Sequence, residues 1–269
     1  MTHFICNACG SQFSPRAEPP ERCPICQDSR QFIPPAGQQW TTLSELASDH
    51  RNGFRQYEPG VLGIGITPSF AIDQRALLIL RPTGNILWDC IPLLDEATHT
   101  LIAGLGGISA IAISHPHYYS TMVEWSHRFG GVPIYLHEAE RDWVMDPDPA
   151  IQFWTGETKV IAPGMTLIRC GGHFEGAQVL HAVEPADGQG ALFTGDIIAV
   201  VADRNWVSFM YSYPNLIPLP AQTVVEIGAR IAPFGFDRIY GAFWDRIITA
   251  DAKNIVERSI ARYVVSLGP

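Results

Sequence analysis

Long apolar runs are missing from this sequence, and no stretch approaches the roughly 20 residues that a helix needs to cross a bilayer. Basic charge is scarce as well. Eighteen Lys and Arg stand against 27 Asp and Glu, a formal net charge of −9, and no basic run offsets the deficit. Phosphate binding needs clustered cations, so neither a nucleic acid nor an anionic membrane is expected as a partner. The opening residues, MTHFICNACG, lack a basic stretch followed by an apolar one, so no targeting segment is expected. Internal repeats and low-complexity tracts are also lacking. What is present suits a globular chain with a buried core: 46% apolar and 17% charged residues. A length of 269 residues fits one large domain, or one domain with an appendage. The expectation is a soluble, cytoplasmic protein.

Four of the six cysteines fall in CNACG (6–10) and CPIC (23–26), two C-x2-C pairs separated by thirteen residues. Paired spacing of this kind in a reducing compartment points to a metal rather than to disulfides. Cys6, Cys9, Cys23 and Cys26 on two tight turns close a tetrahedral site of the kind zinc accepts. Residues 1–36 are too few to bury much apolar surface, so the metal would supply most of their folding free energy. The wording also resembles rubredoxin, but the gap is too short for that complete fold, which favours a structural zinc ribbon. IPPAG reads as a linker to a second domain, 37–269. Cys90 and Cys170 stand alone beside strands and read as small buried hydrophobes.

Beyond the linker, TTLSELASDHRNGF reads as a short helix. From residue 61, VLGIGIT, FAID, RALLILRP and GNILWDC read as strands of a meander, and GISAIAIS as a strand covered on both faces. STMVEWSHRFG follows as a helix, capped by Ser120 or Thr121. VPIYLH, MTLIRC, AQVLHAV, ALFTGDIIAV and FDRIYGAF read as further strands. LPAQTVVEIGARIAPFG and ADAKNIVERSIARYVVSL read as helices. The fold class is α+β.

ISHPHYYS (113–120) places His115 and His117 after the buried strand. In an extended segment, residues i and i+2 face the same side, so both imidazoles can address one metal. TLIRCGGH and ALFTGD repeat the arrangement: each ends a strand with a glycine followed by a ligand-type side chain, His173 and Asp196. Convergence of three strand ends would gather three imidazoles and a carboxylate, a set that suits one zinc or iron.

The strand order, the H-x-H after a buried strand, GGHFEG and FTGDII resemble the metallo-β-lactamase fold superfamily over roughly residues 55–250. The resemblance implies an αββα sandwich, here with a small N-terminal zinc ribbon. It implies first-metal ligands at His115, His117 and His173, and a bridging carboxylate at Asp196. The sequence departs from the superfamily's H-x-H-x-D-H by placing Tyr119 and Ser120 in its last two positions. Ala242, Phe243 and Trp244 stand where a late histidine is usual. One metal is therefore expected at this centre, not two.

The expected chemistry is hydrolysis of a small ester, thioester or lactone-like substrate by a metal-bound water, whose pKa zinc lowers to about 7. Asp196 would complete the metal shell or accept a proton. Tyr119, or Tyr118 beside it, would donate a hydrogen bond to a developing oxyanion, and otherwise is a packed aromatic. His137 and His181 read as structural, His127 as exposed and Glu175 as a rim residue. Asp245 either reaches the site or pairs with Arg246. NWVSFMYSYPNLIPLP (205–220) reads as core packing with a loop cover, or as a wall over an apolar substrate pocket. Two alternatives remain open. One is a non-catalytic metal protein that docks a protein partner through the zinc ribbon. The other is a single-iron oxidoreductase of the sulfur dioxygenase type.

Overall fold

Apolar runs bounded by turn residues become strands in the computed structural model, which describes residues 1–183 and 189–268. The chain divides into two units. The first takes Met1–Leu136 with Arg141–Phe153; the second takes His137–Glu140 and the chain from Trp154 onward.

In the first unit the strands Arg51–Glu58, Val61–Thr67, Ala76–Ile79, Ile86–Trp88, Ala110–Ala112, Ile134–His137 and Ile151–Trp154 lie in sequence order in one seven-stranded sheet. The first four pair antiparallel. Ala110–Ala112 then joins parallel on both sides. Parallel pairing needs a crossover, which the helices Glu96–Gly104 and Met122–Arg128 provide. Ile64, Leu78, Leu87 and Ile111 are fully buried and form part of its core.

The second unit holds a six-stranded sheet in the order Thr158–Ala162, Met165–Arg169, Gln178–Val183, Gly190–Gly195, Arg238–Gly241, Ile247–Ile248. Its one parallel pair, Gly190–Gly195 with Arg238–Gly241, is bridged in sequence by the helix Ala221–Ile231. The helix Ala252–Ser266 follows the sheet's last strand. No helix among the described residues is long and apolar enough to cross a membrane.

Three local expectations change. FAID is a turn rather than a strand: Asp73 N–H donates to Phe70 O at 3.1 Å, with Ala71 and Asp73 at positive φ. RNGF, read as the end of a helix, instead opens the edge strand Arg51–Glu58; edge strands carry polar residues that hide the period-2 signal. Thr121 occupies the N-cap of Met122–Arg128 but makes no side-chain cap. Its hydroxyl donates instead to Ile91 O and Pro92 O, at 3.2 and 3.1 Å.

Candidate metal centres

At the N-terminus the four cysteine sulfurs form one buried group, packed with Phe13 and Ile25 against Trp40, Trp143 and Met145. Cys6 Sγ lies 3.6 Å from Cys26 Sγ, and Cys9 Sγ 3.7 Å from Cys23 Sγ. A tetrahedron with metal–sulfur bonds of about 2.3 Å has edges of about 3.8 Å, so the spacing fits a metal held by four thiolates. Thiol hydrogen bonds from Cys23, Cys26 and Cys9 hold Cys6 far below the ordinary thiol range. Contact with Cys23, Cys26 and Cys6, together with burial, pushes Cys9 up, and contact with Cys23 and Cys6, together with burial, pushes Cys26 up against an opposing hydrogen bond from Cys9. Gln38 Nε2 donates to Cys6 Sγ at 3.1 Å and supports its charge. Ile5–Cys6 pairs with Trp40–Thr41, so the strand pairing reaches across the IPPAG segment.

This knuckle also holds the loop after the Ala110–Ala112 strand. Gln12 N–H donates to Ser120 O at 3.0 Å. Gly10, at φ +80°, lies so close to Pro92 that a Cβ there would meet the Pro92 ring at 2.5 Å. Within the loop, Asp89 Oδ1 accepts the N–H of Ser114 at 2.7 Å, and Ser114 Oγ contacts His115 Nδ1 at 2.9 Å. Pro116 opens a 3-10 turn over Pro116–Tyr118, so His117 is reached through a turn rather than along an extended strand. The two imidazoles are nonetheless neighbours, with ring centroids 5.0 Å apart. Ser120 sits at φ 45° and its hydroxyl donates to Cys90 O at 3.3 Å. Tyr119, 3% exposed, lines a water-sized void with Gln12, Ile25 and Trp143.

In the second unit the Met165–Arg169 strand runs through Gly171 and Gly172, both at positive φ, into His173. Gly172, at φ +81°, holds a backbone conformation that favours glycine, and a Cβ there would also crowd the side-chain ends of Ile227 at 2.9 Å and Leu219 at 3.0 Å. His173 Nδ1 meets Met210 O at 3.0 Å. The Gly190–Gly195 strand ends at Gly195, also at positive φ, and delivers Asp196. Tyr213 OH donates to Asp196 O at 2.8 Å; burial and the charge of Asp196 push that phenol well above its ordinary range. Met210–Ser212 pairs with Ile217–Pro218, so one small hairpin braces both His173 and Asp196.

His115, His117, His173 and Asp196 are all buried, and each offers a ligand atom within 4.8 Å of the others. A histidine whose Nδ1 is held by a carbonyl or hydroxyl presents the lone pair of Nε2, which is how metal-binding imidazoles are oriented. His173 and His115 have that arrangement, so the donor set fits a divalent metal. Ala242 and Phe243, which stand where the resemblance places a late histidine, line a largely apolar cavity with Asp196. Among the described residues, the four-cysteine set and the histidine–aspartate set are the two groupings of three or more His, Cys, Asp or Glu suited to a metal.

Other candidates have structural roles. His137 Nε2 meets Gly156 O at 3.2 Å and His181 Nε2 meets Gly235 O at 2.7 Å. His127 is exposed and pairs with Asp148, and Glu175 is exposed beside Arg169. Asp245 is exposed and gives its carbonyl to Arg204. In the 205–220 segment Val207, Phe209 and Leu219 are buried, whereas Leu216 is 79% exposed. Cys90 and Cys170 are buried thiols, and burial pushes Cys170 up to about 12. Asp89 and Met210 O escaped sequence reading, because nothing in GNILWDC or FMYS marks a residue that supports a ligand elsewhere in the chain.

No protein-family profile matches the chain. The uncharacterized protein YmaE of Bacillus subtilis (strain 168) is 50% identical over 269 residues, 99% of this chain and 97% of that one. Among solved structures, VMB-1 superposes with a TM-score of 0.59 at 12% identity, covering 81% of this chain and 99% of its own. The DIM-1 metallo-β-lactamase gives 0.55 at 13% identity, over 77% of this chain and 98% of its own. A Cronobacter sakazakii metallo-β-lactamase with a HARLDQ motif gives 0.53 at 18%, over 80% and 93%. Similarity at these identities shows the fold alone, and the fold is that of the metallo-β-lactamases.

Proposed function

Since the chain belongs to the family of Bacillus subtilis YmaE and carries the metallo-β-lactamase fold, we propose that it is a mononuclear metal-dependent hydrolase of a small ester, thioester or lactone-like substrate. The observation that carries this reading is the buried set His115, His117, His173 and Asp196, with ligand atoms within 4.8 Å of one another. A divalent cation held by these four residues would supply Lewis acidity and would bring the pKa of a water to about 7. Zinc is assigned to the four-cysteine site, where it is structural, and zinc or iron to the histidine–aspartate site. Tyr119 and Ser120, together with Ala242 and Phe243, offer poor ligands for a second cation, which supports a single metal.

The chain's own residues have separate tasks. His115 and His173 are aimed by Ser114 and Met210, which fixes the ligand lone pairs before any substrate arrives. Asp196 would help hold the metal or would accept a proton from a water. The Tyr119 phenol is assigned as the hydrogen-bond donor to the oxyanion. Ala242 and Phe243 keep the neighbourhood of Asp196 apolar, which strengthens electrostatic interactions there. The two C-x2-C pairs gather as one buried metal-type group, an arrangement that supports a reducing, cytoplasmic setting.

One kinetic series tests the reading. Metal-replete wild type is assayed on a panel of small esters, thioesters and lactones beside His115→Ala and Tyr119→Phe. Turnover is expected to disappear in His115→Ala, and kcat to fall about tenfold or more in Tyr119→Phe. A metal-replete wild type inactive across the panel overturns the hydrolase. An unchanged kcat in Tyr119→Phe leaves that ring with packing alone.

A further inference from the structure

Beside Asp196, within the second unit, lies a cavity of about 290 Å³. Ala199, Val200, Ala242 and Phe243 contribute apolar wall, and Asp196 and Arg246 are the charged residues among the described lining. Arg246 is half-buried, and its guanidinium makes no hydrogen bond or ion pair among the described residues. Its backbone is tightly placed: Arg246 N–H donates to Phe243 O at 3.2 Å, and Arg246 O accepts from Gly241 N–H at 2.9 Å. The next residues, Ile247–Ile248, pair with Ile239 and Tyr240. Backbone pairing thus fixes a cation-bearing residue in the wall of a largely apolar cavity, its guanidinium without a protein partner among the described residues. Partial desolvation of a charge is costly unless a counter-charge is supplied. Asp196, a member of the candidate metal group, makes no ion pair with Arg246 among the described residues.

We propose that Arg246 is the anchor for a substrate carboxylate, so that the substrate is an ester, thioester or lactone bearing a carboxylate on a small apolar body. The assignment rests on the hydrolase reading of the centre at Asp196 and adds to it a substrate class. Guanidinium–carboxylate pairing is planar and bidentate, so the anchor also orients the rest of the molecule. A body of about ten heavy atoms matches a pocket at the small end of ligand sites.

The test is a binding measurement that needs no turnover. Phenylacetate and its neutral counterpart phenylacetamide are titrated calorimetrically into zinc-loaded wild type, Arg246→Gln and Arg246→Lys, each checked for metal content and Tm. Phenylacetate is expected to lose at least tenfold in affinity in Arg246→Gln and to recover in part in Arg246→Lys, while phenylacetamide is unchanged. Equal weakening of both probes overturns the proposal. So does an unchanged phenylacetate affinity, which would place the carboxylate on the metal, and so does absence of saturable phenylacetate binding to wild type. Arg246-dependent binding in a protein inactive on every ester would sink the hydrolase reading and leave the anion pocket standing. Activity on neutral esters without Arg246-dependent binding would do the reverse.

Discussion

A single carboxylate oxygen, Asp89 Oδ1, takes the N–H of Ser114 one residue before His115. Asp89→Asn keeps the shape and an acceptor but removes the charge. Groups that orient metal ligands typically contribute about 10- to 100-fold to metal affinity. Zinc affinity at the histidine–aspartate centre is therefore expected to fall about tenfold, with the four-cysteine site unchanged, as read by competition with a chromophoric chelator. The candidate metal group was legible in the sequence because His115, His173 and Asp196 each follow closely on a strand, the last two directly after a glycine, a local pattern. Asp89 and Arg246 were not, because their roles depend on residues far away in the chain. Arg246 in particular reads locally as a partner for Asp245, yet no such ion pair forms among the described residues.

At the scale of elements, the N-terminal knuckle and the loop carrying His115 and His117 form one bonded assembly through Gln12, Gly10 and the 90–92 segment. Cys23→Ser/Cys26→Ser is expected to drop metal content from two equivalents to one, measured by mass spectrometry. The remaining centre should lose its metal faster to a chelator, because the backbone tie to Ser120 loosens with the knuckle. Unchanged release from that centre would show the tie to be passive. The interior strands were readable from apolar content: VLGIGIT and AQVLHAV appear as Val61–Thr67 and Gln178–Val183. The polar sheet edges, Arg51–Glu58 and Thr158–Ala162, were not, since one pairing side and much of their surface face solvent. FAID failed for a different reason, with two of its residues held at positive φ in a turn that its composition does not advertise.

For the molecule as a whole, acid stability is set in part by His137 and His181. Burial lowers the proton affinity of both, against the opposing pull of carbonyl hydrogen bonds to Gly156 and Gly235. His137 Nδ1 also accepts the N–H of Ala139 at 3.2 Å, a bond that protonation would break. The unfolded chain binds these protons more readily than the folded one. Their contribution is therefore complete above the ordinary histidine pKa of about 6.5 and is lost as pH falls through the lowered folded values. Tm should decline between pH 7 and 5, and His137→Gln/His181→Gln should flatten that decline; an equally steep drop in the double variant would refute the assignment. A last consequence comes from the hairpin that supports His173 through Met210 and Asp196 through Tyr213, with Leu216 at its exposed tip. Any molecule that settles against this hairpin pulls on two ligands at once. Cobalt(II) exchanged into the centre would register that pull as a change of colour, making the ion an optical gauge of events at the tip.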